Sequence, residues 1–181
     1  MKRQTRFISL SGKGGSGKTT TASLLLAALL RRNIYRDILV VDADPDANLS
    51  QTLGVEAEIT IGRILDQRRK ALDEEGAAGT RLRFLFWDAI VPGPGFDFLV
   101  MGRSLGQGCY CSVNTALKTV MEETAAKYDL VLIDFDAGLE HFSRRAGAEV
   151  DVLLITCDPS RLSFDTDRKS TRLNSSHRIR S

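Results

Sequence analysis

Apolar residues fall in short unbroken runs along this chain, with amphipathic or Ala/Leu-rich stretches between them. Five runs read as strands: Thr5–Ser11 (TRFISLS), Ile38–Asp42 (ILVVD), Phe98–Met101 (FLVM), Leu130–Asp134 (LVLID) and Val152–Cys157 (VLLITC). The last four are nearly uninterrupted apolar runs and the first reads as a short buried strand, so a sheet covered on both faces is expected. Lys18–Arg32 (KTTTASLLLAALLRR) reads as a helix, built from strong helix formers and ending on basic residues that suit the negative end of its dipole. Ile59–Leu72 has helical character. Val113–Lys127 is predicted helical, with Val113, Leu117, Val120 and Met121 on one face. Glu74–Thr80 and Val91–Gly95 (VPGPG) read as loops. Unbroken strands alternating with helices predict the α/β class: a mainly parallel sheet with helices on both faces. No internal repeat is visible.

Length and composition narrow the function. The 181 residues are enough for one domain with a substantial core, and 43% apolar with 27% charged residues is ordinary globular composition. The longest uncharged apolar run, Thr20–Leu30, is too short to span a bilayer. Met1–Arg6 has basic residues but no apolar stretch or cleavage site beside them, so no secretory signal is read. Three cysteines are too few for a disulfide scaffold, and a reducing, cytoplasmic setting is expected. The formal charge of +2 comes from the end of the chain, where residues 168–181 carry Arg168, Lys169, Arg172, Arg178 and Arg180 and no acid. The rest is mildly acidic, so neither a nucleic-acid nor a membrane partner is expected.

The strongest chemical signal follows the first strand. Gly12-Lys13-Gly14-Gly15-Ser16-Gly17-Lys18-Thr19 fits G-x-x-x-x-G-K-[ST] and opens a predicted helix. Glycines there let backbone N–H groups turn inward around phosphate oxygens, and the helix N-terminus adds positive potential. Lys18 can neutralise β/γ-phosphate charge, and Thr19 can offer its hydroxyl to Mg²⁺. Thr20 completes the candidate nucleotide-binding stretch. The second strand ends in Asp42-Ala43-Asp44-Pro45-Asp46-Ala47-Asn48, which places carboxylates where α/β sheets bind ligands. Turn and capping chemistry is the simpler account of the same residues. Cys109-Tyr110-Cys111 puts two thiols one residue apart. Two thiolates can supply half of a tetrahedral site for Zn²⁺ or ligands for Ni²⁺, and two chains on a two-fold axis could complete it. On its own such a pair is more often two small buried residues.

With the second lysine at Lys13, KGGSGKTT resembles the deviant Walker A motif of the MinD/ParA/nitrogenase-iron-protein superfamily of P-loop NTPases. That resemblance implies an ATP-hydrolysing homodimer in which Lys13 reaches the partner's nucleotide. It also implies that Asp44 orients the attacking water and that Asp42 supports the site. By the same resemblance, Leu130–Asp134 is the Walker B strand, with Asp134 holding Mg²⁺ through a water. Ala137-Gly138 would then be switch II, where the Gly138 backbone could sense the γ-phosphate.

Within the superfamily, G-Q-G-C-Y-C-S-V-N, D-A-D-P-D-A-N-L-S-Q-T-L-G-V and D-F-D-A-G-L-E-H resemble the CooC-type ATPases that insert nickel into carbon monoxide dehydrogenase. The resemblance runs from about Thr5 to Ser163. It implies that Cys109 and Cys111 hold Ni²⁺ or Zn²⁺ at a dimer interface, in step with ATP/ADP state. The client would be carbon monoxide dehydrogenase or a related nickel enzyme. Cys157 matches no ligand position and is expected to be a core thiol, and His141 a structural histidine. Phe84, Phe86 and Trp87 are expected in the core or on a partner-facing patch. A partition or regulatory ATPase of the ParA/MinD kind is the alternative. An iron–sulfur carrier is disfavoured, since Ala137 stands where its second cysteine would fall. RKSTRLNSSH resembles a translated sequencing adapter. The expected division is therefore an ATPase domain over 1–167, incomplete at its C-terminus, and a basic tail over 168–181 that is non-native or disordered.

Overall fold

A computed structural model of the chain describes residues 5–44, 46–64, 66, 87–102, 127–135 and 150–157. Its elements are β1 (Arg6–Gly12), α1 (Lys18–Arg32), β2 (Ile38–Asp42), α2 (Asn48–Leu53), β3 (Val91–Gly93), β4 (Phe96–Val100), β5 (Leu130–Asp134) and β6 (Val152–Thr156). The strands form one sheet in the order β3-β4-β2-β5-β1-β6. Every pairing is parallel except β3 with β4. This is the expected α/β architecture.

Burial on both faces explains the unbroken apolar runs of β2 and β5; β6 departs from that expectation, with Val152 exposed and the rest half-buried, because it borders the described sheet. In β2 and β5 every residue is buried. Ile38, Val40, Leu130 and Leu132 point to one face and pack with Ala22 and Leu26 of α1 and Leu49 of α2. Leu39, Val41, Val131 and Ile133 point to the other, against Ile61, Ile64 and Ala89. A residue-by-residue alternation of polarity would have left one of these faces uncovered.

Helix α1 matches the sequence expectation at both ends. It stops where Asn33 turns left-handed (φ 49°) and donates its N–H to the Leu30 carbonyl. The helix expected over Ile59–Leu72 is seen as helical residues at 61–64 and 66, with 59 and 60 outside it. Its remainder, the loop Glu74–Thr80 and the helix Val113–Lys127 up to residue 126 lie outside the described residues; Lys127 itself sits in a turn.

Val91–Gly95 departs from expectation. It is the edge strand β3 followed by a tight turn, pairing Val91 with Phe98 and Gly93 with Phe96. Proline is tolerated on an edge strand, where no neighbour needs its missing N–H. Pro94 then Gly95, the latter at φ 87°, supplies the order a type II turn requires. Pairing with β3 also draws Phe96 and Asp97 into β4, which therefore begins two residues earlier than expected and ends at Val100. The short helix α2 carries no periodic signal in its six residues.

Candidate nucleotide site

Because β1, β2 and β5 are parallel neighbours, their C-terminal ends deliver Gly12, Asp42 and Asp134 to one rim of the sheet. Asp134 is the register partner of both Leu10 and Asp42. The glycine-rich loop leaves β1 at this rim and enters α1 at Lys18. Added Cβ atoms at Gly14, Gly15 and Gly17 would meet nothing within 4 Å. The loop thus walls an open cradle rather than packing on the core. No acidic residue occupies the first turn of α1, and no side chain caps it, so its N-terminal N–H groups and positive potential remain available to an anion.

Lys18 is buried at 6% exposure, although it carries a charge. Thr19 donates its hydroxyl to Asp134 Oδ2 at 2.9 Å, across 115 residues of sequence. Asp134 is itself 1% exposed. A hydroxyl and a carboxylate brought together at a buried strand end are hard oxygen donors, the set that suits Mg²⁺. The residues present therefore fit that ion. Thr20 is exposed in the first turn of α1, and Lys13 is exposed at the start of the loop.

The β2 end is built around Asp42, which is fully buried. Its Oδ1 accepts the Asp44 N–H at 3.2 Å and its Oδ2 the Leu49 N–H at 3.0 Å. Its carbonyl accepts the Met101 N–H. Burial pushes its carboxyl up from 3.8 to about 7; the two backbone N–H bonds oppose this, and the charges of Asp134 and Asp44 add to it. Asp42 thus clasps the turn that carries Asp44 and the start of α2. Asp44 is half-buried and its Oδ1 accepts the Asp46 N–H at 2.8 Å. Ala47 takes a left-handed φ of 50° at the start of α2, backed by its N–H bond to the Asp44 carbonyl. The turn chemistry and the candidate catalytic carboxylate therefore coexist in one segment.

The structure brings together Gly12, Lys13, Gly14, Gly15, Ser16, Gly17, Lys18, Thr19 and Thr20 with Asp42, Asp44 and Asp134 on a single rim. Cys109, Cys111, Ala137, Gly138, His141, Phe84 and Phe86 lie outside the described residues. Among the described residues no group of three or more His, Cys, Asp or Glu side chains could hold a metal ion. Cys157, expected in the core, is exposed at the end of β6, because that strand borders the described sheet on one side only. Trp87 sits at the opposite end of the sheet, with Lys127 Nζ 3.4 Å from its ring centre. There it lines a cavity of about 400 Å³ with Asp37, Asp97 and Tyr128. Two contributors escaped the sequence reading: the clasp by Asp42 of α2, and Thr156, whose hydroxyl lies 2.7 Å from that of Ser16.

The family described as AAA domain matches residues 5–168. This chain belongs to that family. The chain also shows homology to MinD and ParA proteins. An uncharacterised ATP-binding protein of Methanocaldococcus jannaschii is 44% identical to it over 172 residues, 92% of this chain and 67% of that protein. The carbon monoxide dehydrogenase accessory protein CooC of Rhodospirillum rubrum is 33% identical over 173 residues, 88% of this chain and 65% of that protein. The structure of the septum site-determining protein MinD of Pyrococcus horikoshii, complexed with Mg-ADP, superposes with a TM-score of 0.64 at 24% identity, covering 95% of this chain and 66% of that one. The chain spans about two thirds of the length of these relatives. No helix among its described residues is long and apolar enough to cross a membrane.

Proposed function

We propose that the domain over residues 1–167 binds and hydrolyses Mg-ATP as a nucleotide-driven homodimer, and that it delivers nickel to carbon monoxide dehydrogenase or a related nickel enzyme. The observation that carries the nucleotide reading is the 2.9 Å bond from Thr19 to buried Asp134, beside buried Lys18 at the mouth of an open glycine cradle. Loop amides and the Lys18 ammonium bind the phosphates, and Thr19 and Asp134 hold the Mg²⁺. When bound, that ion offsets phosphate charge. Asp44, held by the Asp42 clasp, orients the attacking water. Lys13, exposed, reaches the nucleotide of the partner subunit and adds positive charge where negative charge grows in the transition state. Gly138 senses the γ-phosphate through its backbone.

The nickel reading rests on Cys109-Tyr110-Cys111 and on the likeness to CooC. Cys109 and Cys111 of two subunits form a four-thiolate site for Ni²⁺ or Zn²⁺, which opens or tightens with ATP/ADP state. Such coupling is reciprocal: metal and nucleotide change each other's binding equally. The test is bound metal per chain, with nickel or zinc offered under reducing conditions. About one metal per two chains, lost in Cys109→Ser/Cys111→Ser, is the expected outcome. A folded protein with no thiol-dependent metal moves the reading to a ParA/MinD-like partition or regulatory ATPase, which the homology to MinD and ParA proteins favours.

A further inference from the structure

We propose that Thr156 is a positioning residue for the phosphate loop, acting through Ser16 to fix the turn that carries Lys13. This rests on the nucleotide-site reading above. Strand β6 runs beside β1 with Thr156 opposite Gly12. That register sets the Thr156 hydroxyl under the loop. Thr156 Oγ1 donates to the Ser11 carbonyl at 3.3 Å. Either hydroxyl can be the donor in the 2.7 Å contact between them; while Thr156 donates to Ser11, Ser16 is that donor. Ser16 also closes the loop's first turn, its backbone N–H donating to the Lys13 carbonyl at 3.1 Å. A chain of three hydrogen bonds therefore links the end of β1, the end of β6 and the turn that presents Lys13.

Gly12 completes the arrangement. A Cβ at that position would lie 2.2 Å from the Thr156 carbonyl oxygen and 2.6 Å from Thr156 Oγ1. The first glycine of the motif is thus needed for the close approach of Thr156. The motif itself leaves residue 16 unspecified, and it contains no information about a strand 140 residues away. The latch has a physical purpose. A loop with glycines at 14, 15 and 17 loses much conformational freedom on binding phosphate, and a pinned Ser16 removes part of that loss beforehand. Held against Thr156, the Ser16 hydroxyl leaves phosphate recognition to backbone N–H groups, Lys18 and Thr19.

The test combines binding with hydrogen exchange. Mg-ADP titration calorimetry is run on wild type, Lys18→Ala, Thr156→Val, Thr156→Ser, Ser16→Ala and the Ser16→Ala/Thr156→Val pair. Valine keeps the β-branched shape and removes the hydroxyl. Thr156→Val is expected to bind about fivefold to tenfold more weakly, the worth of one ordinary hydrogen bond. Thr156→Ser is expected to recover wild-type affinity. The double variant is expected to be no weaker than the weaker single one, because both singles break the same bond. Amides of residues 13–17 in the nucleotide-free chain are expected to exchange faster in Thr156→Val, with β2 and β5 unchanged. Unaltered affinity and exchange in Thr156→Val, or effects that add in the double variant, overturn the latch. If Thr156→Val does not fold, Ser16→Ala decides by the same two readouts. Wild type without Lys18-dependent Mg-ADP binding overturns the nucleotide reading; the exchange measurement then decides the latch separately.

Discussion

Asp42 is a buried acid whose role follows from what it touches. Its two oxygens take the N–H groups of Asp44 and Leu49, so it ties the candidate catalytic turn to α2. With its carboxyl raised from 3.8 to about 7, the folded chain binds more protons than the unfolded chain between those values. The stability Asp42 contributes is therefore complete below about pH 4 and is lost as pH rises through about 7. Measured against Asp42→Asn by urea unfolding from pH 4.5 to 8, wild type is expected to lose up to about 1.4 kcal/mol per pH unit across this window. Parallel curves for the two proteins are the outcome that removes the assignment. Lys18 allows a second test at this scale. Replacing its ammonium by Lys18→Ala removes a charge-assisted contact, so Mg-ADP affinity is expected to fall at least about tenfold, with the thermal melt little changed.

Elements succeed or fail in the sequence according to whether their cause is local. Helix α1 is legible to the residue, because Ala/Leu propensity, the preceding glycine and the basic last turn act within its own length. Strand β3 is not. VPGPG has the composition of a loop, and it becomes a strand only because β4 offers it an edge to pair with. Its register is set by the Pro94-Gly95 turn, so Gly95→Ala, at φ 87°, is expected to cost about 1 kcal/mol in urea unfolding without altering nucleotide binding. Gly12→Ala differs in kind, since its Cβ would strike the backbone of Thr156 rather than a flexible side chain. A loss of about 1–3 kcal/mol is expected, together with weakened Mg-ADP binding, because the β1–β6 junction must part.

At the scale of the whole molecule, parallel pairing does the assembling. Three strand ends separated by up to 122 residues reach one rim because β2, β5 and β1 are adjacent and point the same way. The opposite rim holds the Trp87–Lys127 pair and the Tyr128 hydroxyl, which donates to Asp97 Oδ2 at 2.7 Å. Lys13, exposed at the rim, belongs to this scale because its proposed role is to reach the nucleotide of a second chain. Sedimentation with ATP is expected to show a dimer for wild type and a monomer for Lys13→Ala, while Mg-ADP binding by the variant persists. A Lys13→Ala chain that dimerises and hydrolyses ATP as wild type does would remove Lys13 from both dimerisation and catalysis.

By itself the sequence determined what is encoded in contiguous residues. The unbroken apolar runs fixed the parallel, doubly covered sheet; Gly12–Thr19 fixed the loop chemistry; Asp42–Asn48 and Leu130–Asp134 fixed acids at strand ends. Such patterns are legible because strand burial, helix propensity and phosphate-loop geometry depend on neighbours a few positions away. Tertiary structure alone decided which strands lie side by side. That choice put Asp134 within reach of Thr19, gave β3 a partner, and set Thr156 against Gly12 and Ser16. These pairings join residues more than 100 positions apart, or reverse a loop-like composition, and their energy comes from burying two sheet faces together. No local pattern carries that information, because the contacts exist only once the sheet has closed.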